Sequence, residues 1–268
     1  YYDPYAREGK SSGAWETEYQ SQARHGGDRL CVVSNNCYFI KASPGQPILI
    51  SWDDATTMFH EFGHALHALS SNAYYASQAG TNTARDFVEF PSQINEHWLP
   101  IPEVLEKFAI HHETGKPMPV ELQHKIDKAS KFNQGFATVE YLACALIDMK
   151  YHLAGNVDID IGQFEKEELA KLGMPKEIVM RHRPTQFSHI FSGDGYSAGY
   201  YSYLWSDALV ADVAEKFMAE GGPFGPMAKQ YFDKIISVGD TVPQDEAFRN
   251  LMGRDVNRDA LMRQRGFA

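Results

Sequence analysis

Hydrophobic positions along the chain predict a mainly helical protein with one small sheet near its start. The opening, 1–27, is polar and rich in Gly and Ser, which predicts loops and short extended pieces. "RLCVVSNNCYFI" (29–40) is dense in Val, Cys, Phe and Ile, the composition of a strand or hairpin arm. "KASPGQP" (41–47) predicts a turn and "ILI" (48–50) a second short strand. A helix should then begin, because Ser51 and Asp54 form an S-x-x-D start signal. Ala55, Met58, Phe59, Phe62, Ala65, Leu66 and Leu69 follow at helical spacing.

Further helices are predicted over 84–99, 103–113, 121–153 and 161–172. Pro91 falls in the first turn of the 84–99 helix or kinks it. The 121–153 helix breaks, if anywhere, near Gly135. A Gly-rich loop, "HIFSGDGYSAG" (189–199), leads into a helix over 200–220, and shorter helices finish the chain. No internal repeat or low-complexity tract interrupts this order.

Composition adds limits. The chain has 268 residues, long enough to bury a sizeable core, with 43% hydrophobic and 22% charged residues. A net charge of -10 argues against nucleic acid or an anionic membrane as the main partner. No apolar run is long enough to span a bilayer. Cys31, Cys37 and Cys144 lack metal-ligand spacing, which argues against a disulfide framework and for a reducing compartment. The chain starts at Tyr1 and reads as an internal stretch. The expectation is therefore a piece of a longer protein, cytoplasmic, or periplasmic where a leader precedes it.

The chemistry lies in "MFHEFGHALHALSS" (58–71). His60, His64 and His67 cluster on one side of a helical wheel, and Met58, Phe62, Leu66 and Leu69 lie roughly opposite. The bland reading is a solvated polar face. The spacing favours another. Residues four apart stack on one face, so His60 and His64 can aim ring nitrogens at one ion at roughly 2 Å. Glu61 projects beside them, where a general base for a metal-activated water belongs. His67 lies about 10 Å along the axis from His60, too far to share the ion. The third ligand must come from elsewhere. Glu89, in "DFVEFPSQ", is the leading candidate and Glu96, seven residues on, is its rival. Either can equally be a surface carboxylate.

These residues resemble a known family. "FHEFGHALH", "DFVEFPSQINEHW" and "FSHIFSGDGYSAGYYSYLWSD" are similar, in this order, to motifs of the M3 metallopeptidases. "YYDPYAREGKSSGAW" is similar to a segment upstream of their zinc helix. The resemblance implies one zinc ion per chain on His60, His64 and Glu89, with Glu61 as general base. It implies that His189, Tyr196 and Tyr203 contact substrate or stabilise the oxyanion, with Tyr200 and Gly195 as candidate substrate contacts. It implies a mainly α catalytic domain with an active-site helix of zincin type. The substrates would be short peptides, trimmed by C-terminal dipeptides or cut internally. Two departures stand out. The chain matches only the C-terminal part of the family fold, so 1–268 would be a catalytic portion whose missing N-terminal half is absent or supplied by another chain. The stretch from His189 to Tyr196 is also a residue or two longer than in several relatives.

Other roles follow from residue type. Gly193, Gly195 and Gly199 give the loop freedom to bring Tyr196 and Tyr203 to the metal. Yet Tyr196, Tyr200 and Tyr203 also fit a plain helical packing stripe. Asp86 is a candidate to orient a liganding histidine, or is a surface acid or helix N-cap. Arg181, His182 and Arg183 are candidates to hold a peptide carboxylate, or are a solvated charge run. Two alternatives compete with the peptidase. One is a zinc-binding but catalytically incomplete piece. The other is a di-iron helical bundle built on Glu61-x-x-His64 and Glu121-x-x-His124 with Glu89 and Glu140, which leaves His60 unexplained.

Overall fold

The computed structural model describes residues 1–267 and is mainly α, with one small sheet at its start. The sheet has three strands, β1 (Tyr2–Tyr5), β2 (Trp15–Gln20) and β3 (Val32–Phe39), in the order β1-β3-β2. β1 runs parallel to the central β3 and β2 antiparallel to it. The short extended pieces expected in the opening stretch are the two strands β1 and β2. Strand β3 supplies the pairing that makes them extended. The buried ammonium of Lys10 also ties the strands by donating to the carbonyls of Asp3 (2.8 Å), Tyr5 (3.1 Å) and Cys37 (2.5 Å). "ILI" (48–50) is not a strand. No strand lies beside it to pair with, and its three side chains are exposed.

Helix α1 (Trp52–Leu69) starts where the S-x-x-D signal puts it. The Asp54 N–H donates to Ser51 Oγ (3.0 Å) and the Ser51 N–H to Asp54 Oδ2 (3.1 Å), a complete capping box. Its packing face departs from the sequence reading. Phe62, Leu66 and Leu69 are partly exposed, whereas Glu61, Gly63, Ala65, His67 and Ala68 are buried. Small side chains decide this: Ala65 and Ala68 let the helix settle on Val33 of the sheet. Gly63 lets it settle on α2 (Glu89–Glu96).

Helix α2 is shorter than expected, because residues 85–88 are turns. Pro91 sits in its first turn, where no intrahelical N–H is required. Then come α3 (Pro102–Phe108), α4 (Val120–Ser130) and α5 (Gln134–Leu153). The expected long helix does break beside Gly135: Asn133 adopts a left-handed conformation (φ 55°) between α4 and α5. α6 (Ile161–Lys171) and the single-turn α7 (Ser188–Phe191) lead to α8 (Ser202–Ala219). α9 (Met227–Tyr231), a π-helical turn (Phe232–Ile236), α10 (Gln244–Met252) and α11 (Asp259–Gln264) complete the order. The main core joins Phe87, Phe90 and Ile94 to Val210, Val213 and Phe217 of α8 and to Met227, Ile235 and Phe248. A smaller core packs α5 on α6 through Cys144, Ile147 and Leu169. All three cysteines are free.

Two predictions follow from α1. A Cβ on Gly63 would fall 2.6 Å from Ser92 Cα and 2.7 Å from Pro91 O, both backbone. Gly63→Ala should therefore force α1 off α2 and lower unfolding stability by about 1–3 kcal/mol in urea titration. A variant as stable as the parent would show that the crossing tolerates a methyl group. The second concerns His67, which is fully buried with neither ring nitrogen partnered. Burial, aided by His64, pushes its pKa down to about 3. The unfolded chain takes up that proton near 6.5 while the folded chain resists it. The contribution is thus complete above pH 6.5 and is lost as pH falls towards about 3, by at most about 1.4 kcal/mol per pH unit. His67→Leu should flatten the stability–pH curve across that window. Parallel curves for parent and variant would refute this assignment.

Candidate metal centre and substrate face

Helix α1 carries His60 and His64 one turn apart, with ring centroids 5.0 Å apart. The crossing at Gly63 brings the first residue of α2, Glu89, against them. Glu89 Oε2 lies 3.2 Å from His60 Nε2 and 3.2 Å from His64 Nε2. Glu89 is 1% exposed, so its charge needs partners. Ser92 Oγ donates to Glu89 Oε2 (3.0 Å) and the Tyr196 hydroxyl to Oε1 (3.0 Å). Burial alone would raise this carboxyl, but hydrogen bonds from His60 and His64 hold it well below the carboxylate range. Burial opposes a charge on His60 too, yet Glu89 and Glu96 outweigh it and push its pKa up to about 10.

Two imidazoles and one carboxylate converging on one point are a fitting donor set for a divalent metal ion. Among the described residues, His60, His64 and Glu89 are the group whose ligand atoms all lie close enough for this. Glu121 and His124 of the di-iron alternative are not part of it, and Glu140 pairs instead with Arg181 (3.8 Å). Glu96, the rival ligand, sits one shell out. Its Oε1 lies 2.6 Å from His60 Nδ1, the contact that fixes a liganding ring. Asp86, a candidate for that orienting role, instead accepts from the Tyr201 hydroxyl (2.9 Å). The i, i+7 relation of Glu89 and Glu96 was the available signal: one helix face offers both carboxylates to α1.

Glu61 follows His60 and turns towards the sheet, 8% exposed. Burial raises its carboxyl above the ordinary range, against the lowering by His60 and His64. Such a group readily accepts a proton. Glu16 of β2 was not anticipated. Burial, with Glu18 and Glu61, pushes its pKa up to about 8.

The third motif converges from the other side. His189, on α7, places Nε2 3.0 Å from the Tyr203 hydroxyl and its ring 4.3 Å from that of Tyr196. The rings of Tyr196 and Tyr203 stack at 6.0 Å, and Tyr200 lies 5.6 Å from Tyr203. The chain before Ser202 is turns, so Tyr196 is not part of a helical packing stripe. Burial pushes the hydroxyls of Tyr196 and Tyr203 upward and that of Tyr200 to about 12. All three are protonated donors at neutral pH. Burial lowers His189, which favours its neutral ring.

Some expectations shift. Gly195 lies at the exposed rim against the Arg85 guanidinium, which stacks 4.3 Å over the Tyr196 ring. Among residues 193–199 the left-handed one is Ala198 (φ 54°), not a glycine. Arg181 and Arg183 are taken by Glu140 and Glu165. Of that run only His182 reaches the tyrosines, stacked on Phe187 in a hollow it shares with Tyr141, His189, Tyr200 and Tyr203.

The family model for peptidase family M3 matches residues 1–267. A dipeptidyl carboxypeptidase of Salmonella typhimurium is 40% identical over 99% of this chain and 39% of its own length. Oligopeptidase A of Escherichia coli is 35% identical over 99% of this chain and 40% of its own. The chain thus spans about two-fifths of the length of these relatives. A Pyrococcus furiosus carboxypeptidase structure shares the fold at 16% identity, with TM-score 0.54, 99% of this chain and 53% of that one covered. Trypanosoma cruzi metallocarboxypeptidase 1 does so at 14% identity and TM-score 0.54, over 86% of this chain and 50% of that one. A match along the full described chain, and relatives at this identity, agree with the site built above: the chain belongs to peptidase family M3.

Proposed function

We propose that this chain hydrolyses peptide bonds in short oligopeptides, with one zinc ion held by His60, His64 and Glu89. The observation that carries the proposal is Glu89 Oε2, equidistant from the Nε2 atoms of both histidines, with Glu61 next in sequence to one of them. Zinc, when bound, lowers the pKa of water to about 7 and polarises the scissile carbonyl. Glu61 takes the proton of the attacking water and delivers it to the leaving amine. Its raised carboxyl suits both transfers. Tyr203 supplies a neutral hydroxyl donor for the oxyanion that develops on the substrate, and Tyr196 a second once its hydroxyl leaves Glu89 Oε1. His189 holds the Tyr203 hydroxyl, and Tyr200 lines the hollow for the substrate chain.

Removal of C-terminal dipeptides is the favoured subclass, because the relatives with the higher identity carry that name. Internal cleavage of short peptides is the second reading, supported by the oligopeptidase A relatives.

Quenched fluorescent peptides, assayed on the chain and on Glu61→Gln with metal content measured in both, test the proposal. Both proteins should hold one zinc, and the variant should lose about 10²–10⁴-fold in kcat. A chelator should abolish turnover and added zinc restore it. Equal hydrolysis by both would remove Glu61 from the mechanism. Bound zinc without hydrolysis in either would mean that this chain alone is catalytically incomplete.

Glu96→Gln should weaken zinc binding about 10–100-fold, read by competition with a zinc indicator. Unchanged affinity would show that His60 is oriented without Glu96.

A further inference from the structure

The stretch that carries Tyr196 has little core of its own. Residues 191–195 are exposed, and of 193–200 only Gly199 is buried. Something else must hold it against the metal ligands. That support comes from α5. Asp148 projects from the C-terminal part of this helix and is 2% exposed. Its Oδ1 accepts the Ala198 N–H (3.1 Å) and its Oδ2 the Tyr200 N–H (3.0 Å). The two amides bracket Gly199, whose own N–H closes a turn on Tyr196 O (2.8 Å). His152, one turn further along α5, places Nδ1 2.9 Å from Asp148 Oδ1.

Three features separate this from ordinary packing. No lysine or arginine pairs with Asp148 among the described residues, so a buried carboxylate is sustained by loop amides and one imidazole. Asp148 lies inside α5, five residues before its last residue Leu153, and is not its N-cap or C-cap residue. Ala198 is held left-handed, a conformation that a residue with a Cβ adopts only under constraint.

We propose that Asp148, seated by His152, is a positioning residue: it clamps the loop so that Tyr196 and Tyr203 stand ready over the metal ligands. Its effect on turnover rests on the peptidase reading above; its hold on the loop does not.

Asp148→Asn keeps the shape but turns one acceptor into a donor, so one loop amide loses its carboxylate partner, and Ala198 N–H keeps at most His152 Nδ1 (3.2 Å). Two measurements on the chain read the consequence. Hydrogen exchange should quicken about tenfold or more at residues 196–201, while α5 and α8 keep their protection. Unchanged exchange would overturn the clamp. With zinc content retained, kcat should fall about 10–100-fold with KM within about threefold. In a Tyr196→Phe background the same change should cost less than about threefold, because Asp148 acts through the loop that carries Tyr196. Parental kcat, or equal fractional losses in the two backgrounds, would overturn the positioning role. A parent that turns over no peptide, yet loosens at 196–201 on substitution, supports the clamp and counts against the peptidase reading alone. Should Asp148→Asn unfold, His152→Gln replaces it, with the same pattern at smaller amplitude. No change in either readout would again overturn the proposal.

Discussion

Two helices crossing at a glycine hold the candidate ligands together. Gly63 lies between His60 and His64, and its backbone meets that of Pro91 and Ser92 on α2. Glu89 is one turn before that contact. A closer or wider crossing would move its carboxylate relative to both rings at once. Ser92 joins the contact to the chemistry, since its backbone touches Gly63 and its hydroxyl donates to Glu89 Oε2. Glu96, at the far end of α2, reaches His60 from the other ring nitrogen. One short helix thus supplies the third ligand, the hydroxyl that seats it and the carboxylate that orients a ring. None of the three works unless the crossing is tight.

The same crossing creates an electrostatic problem that a metal ion solves. Glu89 is buried and anionic, and His60 is drawn towards its protonated form by two carboxylates. A proton on His60 offsets part of that charge, but a metal ion wants the same lone pairs and must displace it. The proposed ligand set therefore suits a cation of higher charge than a proton. His67 marks the contrast. It lies on the same helix, fully buried and without a carboxylate, and burial drives it neutral. Histidine identity alone therefore says little; the acids that α2 brings decide what each ring does.

Much of this was legible in the sequence because it is local. The HExxH spacing, the Ser51–Asp54 box and the break beside Gly135 are decided within a few residues. What failed was decided by partners far away in sequence. "ILI" has the composition of a strand but, among the described residues, no strand partner, whereas β1 and β2 have β3. The stripe of Phe62, Leu66 and Leu69 read as the packing face, yet close approach selected Gly63, Ala65 and Ala68 instead. Glu96 read as a rival ligand and Asp86 as an orienting candidate until the crossing placed Glu96 at His60 Nδ1 and left Asp86 at Tyr201. The loop was expected to bend at its glycines. The strained residue is Ala198, held by an aspartate fifty residues earlier, which no local pattern announces.

The two sides of the site are built by opposite means. The metal side rests on helix packing and a glycine contact that cannot give without losing core. The tyrosine side rests on polar tethers: Asp148 to two amides, the Tyr141 hydroxyl to the Tyr200 carbonyl, and Tyr196 to Glu89. Polar tethers exchange for water at modest net cost, whereas a packed core does not. Under the proposed function, a peptide enters between these two sides and its products leave. The ligands need a fixed geometry throughout, but the donors need it only while the oxyanion exists. Rigid packing under the metal and releasable hydrogen bonds over it meet both demands. The Tyr196–Glu89 bond joins the sides, so the loop is closed by contact with the ligand that completes the metal set.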